Sequence, residues 1–516
     1  MHKIKIVISI VFLILFIENS TAQPTKGEAN SNFDINNCEV ALTQYLKLLK
    51  SEKENTFFHY RIGLCYLKTN LDKKAAIPYL EYAAKDPKIE KSIQFDIAQA
   101  YYYAHKFDTA LSILNNYKSQ GLVDSILAKV NKQIRYAENA QRLIKKPLDV
   151  TLVNLGEMIN TKRADYNPFV IEDESVIYYA SNKKYISDFQ ELINSVYFSK
   201  SSNGKWQKMK SIGSKVNTDE SQVLVGISKD GNTLYIQPES FDTYLNLYST
   251  TKVKNRFNEL IALGKTINTK DIECGASPTV SGDTIYFASD KEGGFGGMDI
   301  YLSIKLPNGE WGIPVNLGNE INTAEDENYP NISNDGNVMY FCSTGYNSMG
   351  GYDIFVSRKN TDGIWSKPEN IGYPINDTYD NLTISFTQNK RYGYVSLTRD
   401  GGFGDSDIYK VIFNNVESQN IVYTGVIAVG DSINPIQLKD VNPEISITVF
   451  NKADDEIFGT YAYSKSSGRY IITLPPGEYR LEVEGESYIT YKKEIEIYET
   501  YYTNSEIEQN IYLQKK

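Results

Sequence analysis

A three-part, multidomain chain is predicted: an all-α helical repeat, then a five-bladed β-propeller, then a small β-sandwich. Three observations carry that reading. Apolar residues recur at three- and four-residue spacing up to Pro147, the mark of amphipathic helices. An Ile/Val-Asn pair returns five times between residues 159 and 376 at spacings of 57, 51, 54 and 54, which is the period of a repeated supersecondary unit. Beyond residue 420 the repeat stops and strict apolar/polar alternation takes over, as half-buried strands require.

Composition bounds the possibilities. The 516 residues are 41% hydrophobic and 12% aromatic, enough apolar mass for packed cores rather than disorder. A formal net charge of −10 argues against nucleic-acid binding, which needs a basic face to replace counterions on phosphate. Forty tyrosines stand against three histidines. That balance favours β-structure with half-buried rings and leaves little imidazole for catalysis.

Residues 1–22 read as a signal peptide. Lys3 and Lys5 precede an apolar run from Ile6 to Ile17 broken only by Ser9, and Ser20 and Ala22 are small residues before an expected cut at Gln23. The run is too short to span a bilayer, and no later stretch nears the roughly 18 apolar residues a membrane helix needs. The mature chain is therefore expected to be exported, with no transmembrane span and, lacking a cysteine at the cut, no lipid anchor. Residues 23–33 read as a linker.

The region 34–146 belongs to a basic stretch, residues 23–146, with 19 Lys/Arg against 13 Asp/Glu, whereas 147–419 holds 24 against 35 and 420–516 holds 9 against 15. Ala41, Ala75 and Ala110 lie 34 and 35 residues apart, with Tyr45, Tyr79 and Leu114 four residues after each. Small residues let paired helices approach and aromatics fill the space between them. The pattern resembles tetratricopeptide repeats: one half-repeat, two full repeats and a closing helix from about Leu122 to Lys145. Such arrays offer a groove to partners or simply pack on a neighbour, and Tyr66 and Tyr101 are the candidates to face a partner. Cys38, Cys65, Cys274 and Cys342 form no metal-ligand spacing. They read as buried thiols, or Cys38–Cys65 as a bridge between adjacent helices.

Within the central repeat (150–414) a Leu/Ile-Gly pair sits four residues before each Ile/Val-Asn pair, and Trp206, Trp311 and Trp365 close three of the units. Asp299-Ile300-Tyr301, Asp353-Ile354-Phe355 and Asp407-Ile408-Tyr409 lie 54 apart. Each unit holds about four short strands, the size of a propeller blade, and its aromatic positions suit the layer between blades. The Ser/Asn-Asp-Gly turn and the Gly-Gly-x-Asp-Ile-Tyr/Phe strand resemble the WD40-like, TolB-type propeller repeat (PD40). In the first two units Ser195-Val196-Tyr197 and Asn246-Leu247-Tyr248 depart from it.

Two constellations stand out on the blades. The Gly-rich loops before Asp299, Asp353 and Asp407 either supply oxygens to calcium or are turns whose aspartates accept backbone N–H groups. The acids after the Ile-Asn pairs, among them Glu220, Glu273, Glu327 and Asp380, either ring one mouth of the channel for a basic partner or are solvated loop charges. No nucleophile–base set assembles, since residues 147–516 contain no histidine. The chain is therefore expected not to be an enzyme and to use no cofactor.

Residues 420–516 alternate like strands, and Pro475-Pro476-Gly477 reads as the bend of a hairpin between Gly468–Leu474 and Tyr479–Val483. The Gly-x-Tyr…Leu-Pro-Pro-Gly-x-Tyr-x-Leu string resembles the carboxypeptidase regulatory-like domain, a transthyretin-like β-sandwich.

The order signal, tetratricopeptide-like helices, propeller and regulatory-like sandwich is similar to the OmpA-family envelope proteins of Bacteroidetes, which include a component of the type IX secretion and gliding machinery. The chain ends at Lys516 without that family's peptidoglycan-gripping OmpA-like domain. The resemblance implies a non-enzymatic periplasmic scaffold associated with the outer membrane through partners, themselves envelope proteins such as an OmpA-like or secretion-machinery component. A carbohydrate- or peptidoglycan-binding protein is the alternative, and a five-bladed glycosidase using paired carboxylates a further one. The oligomeric state is left open.

Overall fold

The structure is a computed structural model. It describes residues 24–516 apart from 187–190, 203, 240–244, 389, 417–419, 442 and 498–505. The expected signal peptide lies outside the described residues. The chain forms two compact units, one ending at Val130 and the other beginning at Asn131.

Seven helices come first: α1 (Lys26–Asp34), α2 (Cys38–Ser51), α3 (Thr56–Lys68), α4 (Ala76–Ala83), α5 (Ile93–Tyr103), α6 (Phe107–Lys118) and α7 (Asp124–Ile144). The linker expected at 23–33 is corrected by α1. Thr25 and Glu28 form a reciprocal capping box, and Ala29 and Phe33 are buried against α2, so local donors and apolar burial both favour a helix there. In the first unit successive helices pack as pairs around Ala41, Tyr45, Phe58, Ile62, Ala76, Leu80 and Ala110, all at most 1% exposed. Cys38 and Cys65 are free thiols in this core, and burial pushes the Cys65 thiol up to about 12.

The second unit opens with the end of α7 and continues into five antiparallel sheets. Their first strands are Asp165–Val170, Ser221–Ile227, Glu273–Pro278, Glu327–Ile332 and Ile384–Phe386, here numbered sheets 1 to 5. Neighbours are joined in cyclic order. Asn167 Nδ2 reaches Leu224 O (3.0 Å) and Gln237 Nε2 reaches Glu273 O (2.7 Å). The Ile332 amide donates to Ser277 Oγ (3.0 Å), Asn331 Nδ2 to Ile384 O (2.8 Å), and the Val170 amide to Ser385 Oγ (2.9 Å). Sheet 5 takes its outer strand from the start of the region, with Val150 opposite Phe413 and Asn154 opposite Tyr409. A sheet series closed by its own first strand is a β-propeller.

Aromatics fill the layers between sheets. Phe257 meets Tyr178 edge-on at 5.9 Å, Trp365 meets Tyr286 at 6.5 Å, and Trp206 meets Tyr394 at 6.0 Å. In each pair a ring near the outer edge of one sheet packs on the second strand of the preceding sheet, the offset geometry that ring quadrupoles favour.

The remaining strands build two further sheets around Ile427, Val449, Tyr470, Ile472, Leu481 and Val483. The expected Pro-Pro-Gly hairpin is corrected. Arg469–Leu474 pairs with Ile421–Val429, whereas Gly477–Gly485 pairs with Ile445–Asn451 and Tyr491–Ile497. The bend carries the chain from one sheet to the other, because Tyr470, Ile472 and Leu474 face Tyr479, Leu481 and Val483 across the core.

Candidate functional site

The antiparallel order puts the loops between second and third strands at the same mouth of the propeller as the starts of the first strands. Here the repeated residues form a repeated joint. In sheet 4 the Asp353 carboxylate accepts the Met349 and Gly350 amides (2.9 and 3.0 Å) and Asn370 Nδ2 (2.8 Å). Asp299 does the same with Phe295, Gly296 and Asn316, and Asp407 with Phe403, Gly404 and Asn154, at 2.6 to 3.3 Å. Of the two readings of these aspartates, the geometry displays the turn-capping one. Among the described residues no group of three or more His, Cys, Asp or Glu side chains is placed to hold a metal ion.

The loop glycines answer to their neighbours. A Cβ on Gly296 would lie 2.1 Å from Glu325 O, on Gly350 2.4 Å from Tyr379 O, and on Gly404 2.3 Å from Arg163 O. Each loop thus presses on the lead-in to the next sheet, too close for any side chain.

The asparagine of every Ile/Val-Asn pair works as a clamp on the preceding sheet. Asn322 accepts the Ile300 amide (2.8 Å) and donates to its carbonyl (3.0 Å). Asn376 does so at Ile354, Asn160 at Ile408, Asn217 at Val196 and Asn268 at Leu247. From the sequence these five amides mark only the period. The signal is present in the sequence, since asparagine holds in all five repeats, followed by threonine in four and by Asp377 in the fifth.

The acids divide. Glu273 and Glu327 are fully buried, which corrects their assignment to a partner-facing ring. Glu327 accepts the Thr323 amide (2.7 Å), Thr323 Oγ1 (2.8 Å) and Ser343 Oγ (2.6 Å). Glu273 is held by Thr269 and Ser289 in the same way. Burial raises both carboxyls and pushes the equivalent Asp165 up to about 6. Glu220 and Asp380 are exposed, Asp380 taking the Tyr352 amide at 2.8 Å. In the helical unit Tyr66 and Tyr101 are half-buried. Tyr66 stacks on Tyr79 at 5.9 Å and Tyr101 donates to Glu81 at 2.5 Å.

Glu325, another of the acids that follow the Ile-Asn pairs, is half-buried and paired. Lys132 and Arg135, on the part of α7 that belongs to the second unit, reach its carboxylate at 2.6 and 3.0 Å. Tyr136 Oη donates to Thr344 O (3.1 Å) and Asn139 Nδ2 to Ser348 O (2.8 Å). The sheet-4 loop is buried accordingly, with Met349 0% exposed. At the matching positions of sheets 3 and 5, Phe295 is 51% and Phe403 46% exposed.

At the opposite mouth the axis opens into a cavity of about 280 Å³ lined by all five sheets, among them Phe169, Glu172, Lys229, Ser277, Asn331 and Phe386. Below it the first strands crowd together: a Cβ on Gly226 would fall 1.7 Å from Ala276 O.

No protein-family profile and no curated protein matches this sequence. Solved structures do resemble it in fold. A thermostable family-43 glycoside hydrolase is 16% identical, with a TM-score of 0.33 over 48% of this chain and 89% of its own. TolB from Acinetobacter baumannii is 15% identical, with a TM-score of 0.32 over 55% and 70%. An alpha-L-arabinofuranosidase from Lactobacillus brevis is 12% identical, with a TM-score of 0.32 over 53% and 93%. Glycoside hydrolases among these neighbours correct the expectation that the chain is not an enzyme. Likeness of this extent speaks of the fold alone.

Proposed function

We propose that this chain is an exported envelope protein that holds partner proteins on the glycine-loop face of a five-bladed propeller. Tetratricopeptide-like helices and a regulatory-like sandwich would flank it, as the resemblance to OmpA-family envelope proteins of Bacteroidetes implies. The observation that supports the reading is the unequal use of three equivalent loops. The sheet-4 loop is covered by residues of α7, while the sheet-3 and sheet-5 loops leave Phe295 and Phe403 bare. Exposed aromatics ringed by polar backbone are the anchors that protein interfaces use. The occupant of sheet 4 shows the chemistry that fits: a helix bringing two basic side chains, a phenol and an amide. The partner is accordingly an envelope or secretion-machinery protein that presents a basic helix at the periplasmic side of the outer membrane.

A photo-crosslinking residue placed at Phe295 or Phe403 in intact cells tests this. A discrete protein adduct is expected from either position, weakened when the unlabelled member of the pair is changed by Phe295→Ser or Phe403→Ser. Adducts at neither position would defeat the reading, and turnover of a polysaccharide by the purified chain would replace it with a hydrolytic one.

A further inference from the structure

The cavity at the opposite mouth contains a charge without a counter-charge in contact. Lys229 sits in the turn after the first strand of sheet 2 and lines the cavity. Its described polar contact is Asn331 Oδ1 at 3.3 Å, and that amide is itself fixed by donating from Nδ2 to Ile384 O at 2.8 Å. Glu172 also lines the cavity and attracts the ammonium, yet the two make no ion pair within 4 Å among the described contacts. Burial lowers Lys229 to about 8. Lys229 is part-buried; an ammonium drawn out of water and left without a paired carboxylate is costly, and a bound anion offsets that cost.

The other walls carry the exposed Asp335 and Lys390 at the rim and, further in, groups that suit such an anion. Ser277 Oγ accepts the Ile332 amide at 3.0 Å, which leaves its hydroxyl proton to donate. Phe169 and Phe386 supply apolar surface. At about 280 Å³ the space falls at the small end of ligand pockets, typically about 300–1,000 Å³. It admits a molecule of the size of a sugar acid or an amino acid.

We propose that this cavity binds a small organic carboxylate, its acid group held by Lys229 and Ser277 and a hydroxyl or amine of the same molecule facing Glu172. The site is separate from the glycine-loop face, so it stands or falls independently of partner docking.

Titration calorimetry of the full chain with D-glucuronate, L-alanine, acetate and, as the uncharged control, D-glucose tests the proposal. Saturable one-to-one binding of glucuronate or alanine is expected, with glucose silent. Lys229→Met should weaken that binding at least about tenfold, and Lys229→Arg should retain part of it. Glu172→Gln should weaken glucuronate or alanine more than acetate. Acylation of Lys229 in the unaltered chain, followed by mass spectrometry, should slow in the presence of the probe that binds. No saturable binding by any carboxylate, equal binding of glucose, or binding that survives Lys229→Met in a folded variant would overturn the assignment.

Discussion

The glycine-rich loops of sheets 3 and 4 share a sequence pattern and a set of hydrogen bonds, yet one is bare and the other buried. Asp299 and Asp353 each accept two loop amides and one asparagine side chain at matching distances. Phe295 stands half in solvent, whereas Met349 has no exposed surface. The joint is thus a property of the repeat, set by amides within four positions of the aspartate, an asparagine seventeen residues on and the next sheet's lead-in. The cover is a property of the whole chain, supplied by α7 from some two hundred residues earlier. Burial pushes the Asp353 carboxyl up to about 8, against the N–H donors that favour its charge.

Three changes would break or sharpen this contrast. The largest effect is expected from a charge under the cover. Met349→Asp should cost about 3 kcal/mol or more, because an unpaired carboxylate would be buried. Phe295→Asp should change stability by less than about 0.5 kcal/mol, as surface substitutions do. Urea denaturation of both variants reads this, and equal losses would erase the distinction.

The second change concerns protons. Folded Asp353 keeps its proton up to about pH 8, while in the unfolded chain it is lost near pH ~4. Across that window the native state binds more protons, so the unaltered chain loses stability as pH rises. Asp353→Asn cannot titrate there. The stability advantage of the unaltered chain over this variant should therefore shrink between pH 5 and pH 8, and denaturation at the two values would expose a constant gap if burial does not govern the site.

The smallest effect belongs to the ion pairs. Glu325 is about a third exposed and its partners Lys132 and Arg135 more so. Glu325→Gln should cost no more than about 1 kcal/mol, and the loss should fade in high salt. Hydrogen exchange along the end of α7 at two salt concentrations would measure it.

Much of this architecture was legible from period alone. The spacing of Ile/Val-Asn pairs located the sheets, and the tryptophans marked the layers between them, because both patterns recur in register with the strands. What escaped the sequence depends on contacts distant along the chain. Glu273 and Glu327 read as surface charge, since a string of letters does not reveal that a threonine four residues earlier and a serine from the second strand satisfy them. Lys229 sits in a turn where charge is ordinary, and only closure of the ring makes it face inward. The helix over residues 26–34 was passed over although its capping pair, Thr25 and Glu28, was in plain view. The Pro-Pro-Gly bend misled because alternation fixes which face a strand presents, not which strand it pairs with.

The pairing of Val150–Asn154 with Asp407–Phe413 sets Val150 directly across from Phe413. The polypeptide therefore enters and leaves the propeller at one end of a single seam. Tension applied at Val150 and Phe413 would meet that seam's hydrogen bonds one after another, as a zip is drawn, instead of straining all of them together in shear. The other four sheets take their strands from consecutive chain and would carry no such strain at the outset. Mechanically, the circle has one weak joint, and the order of the chain decides where it lies.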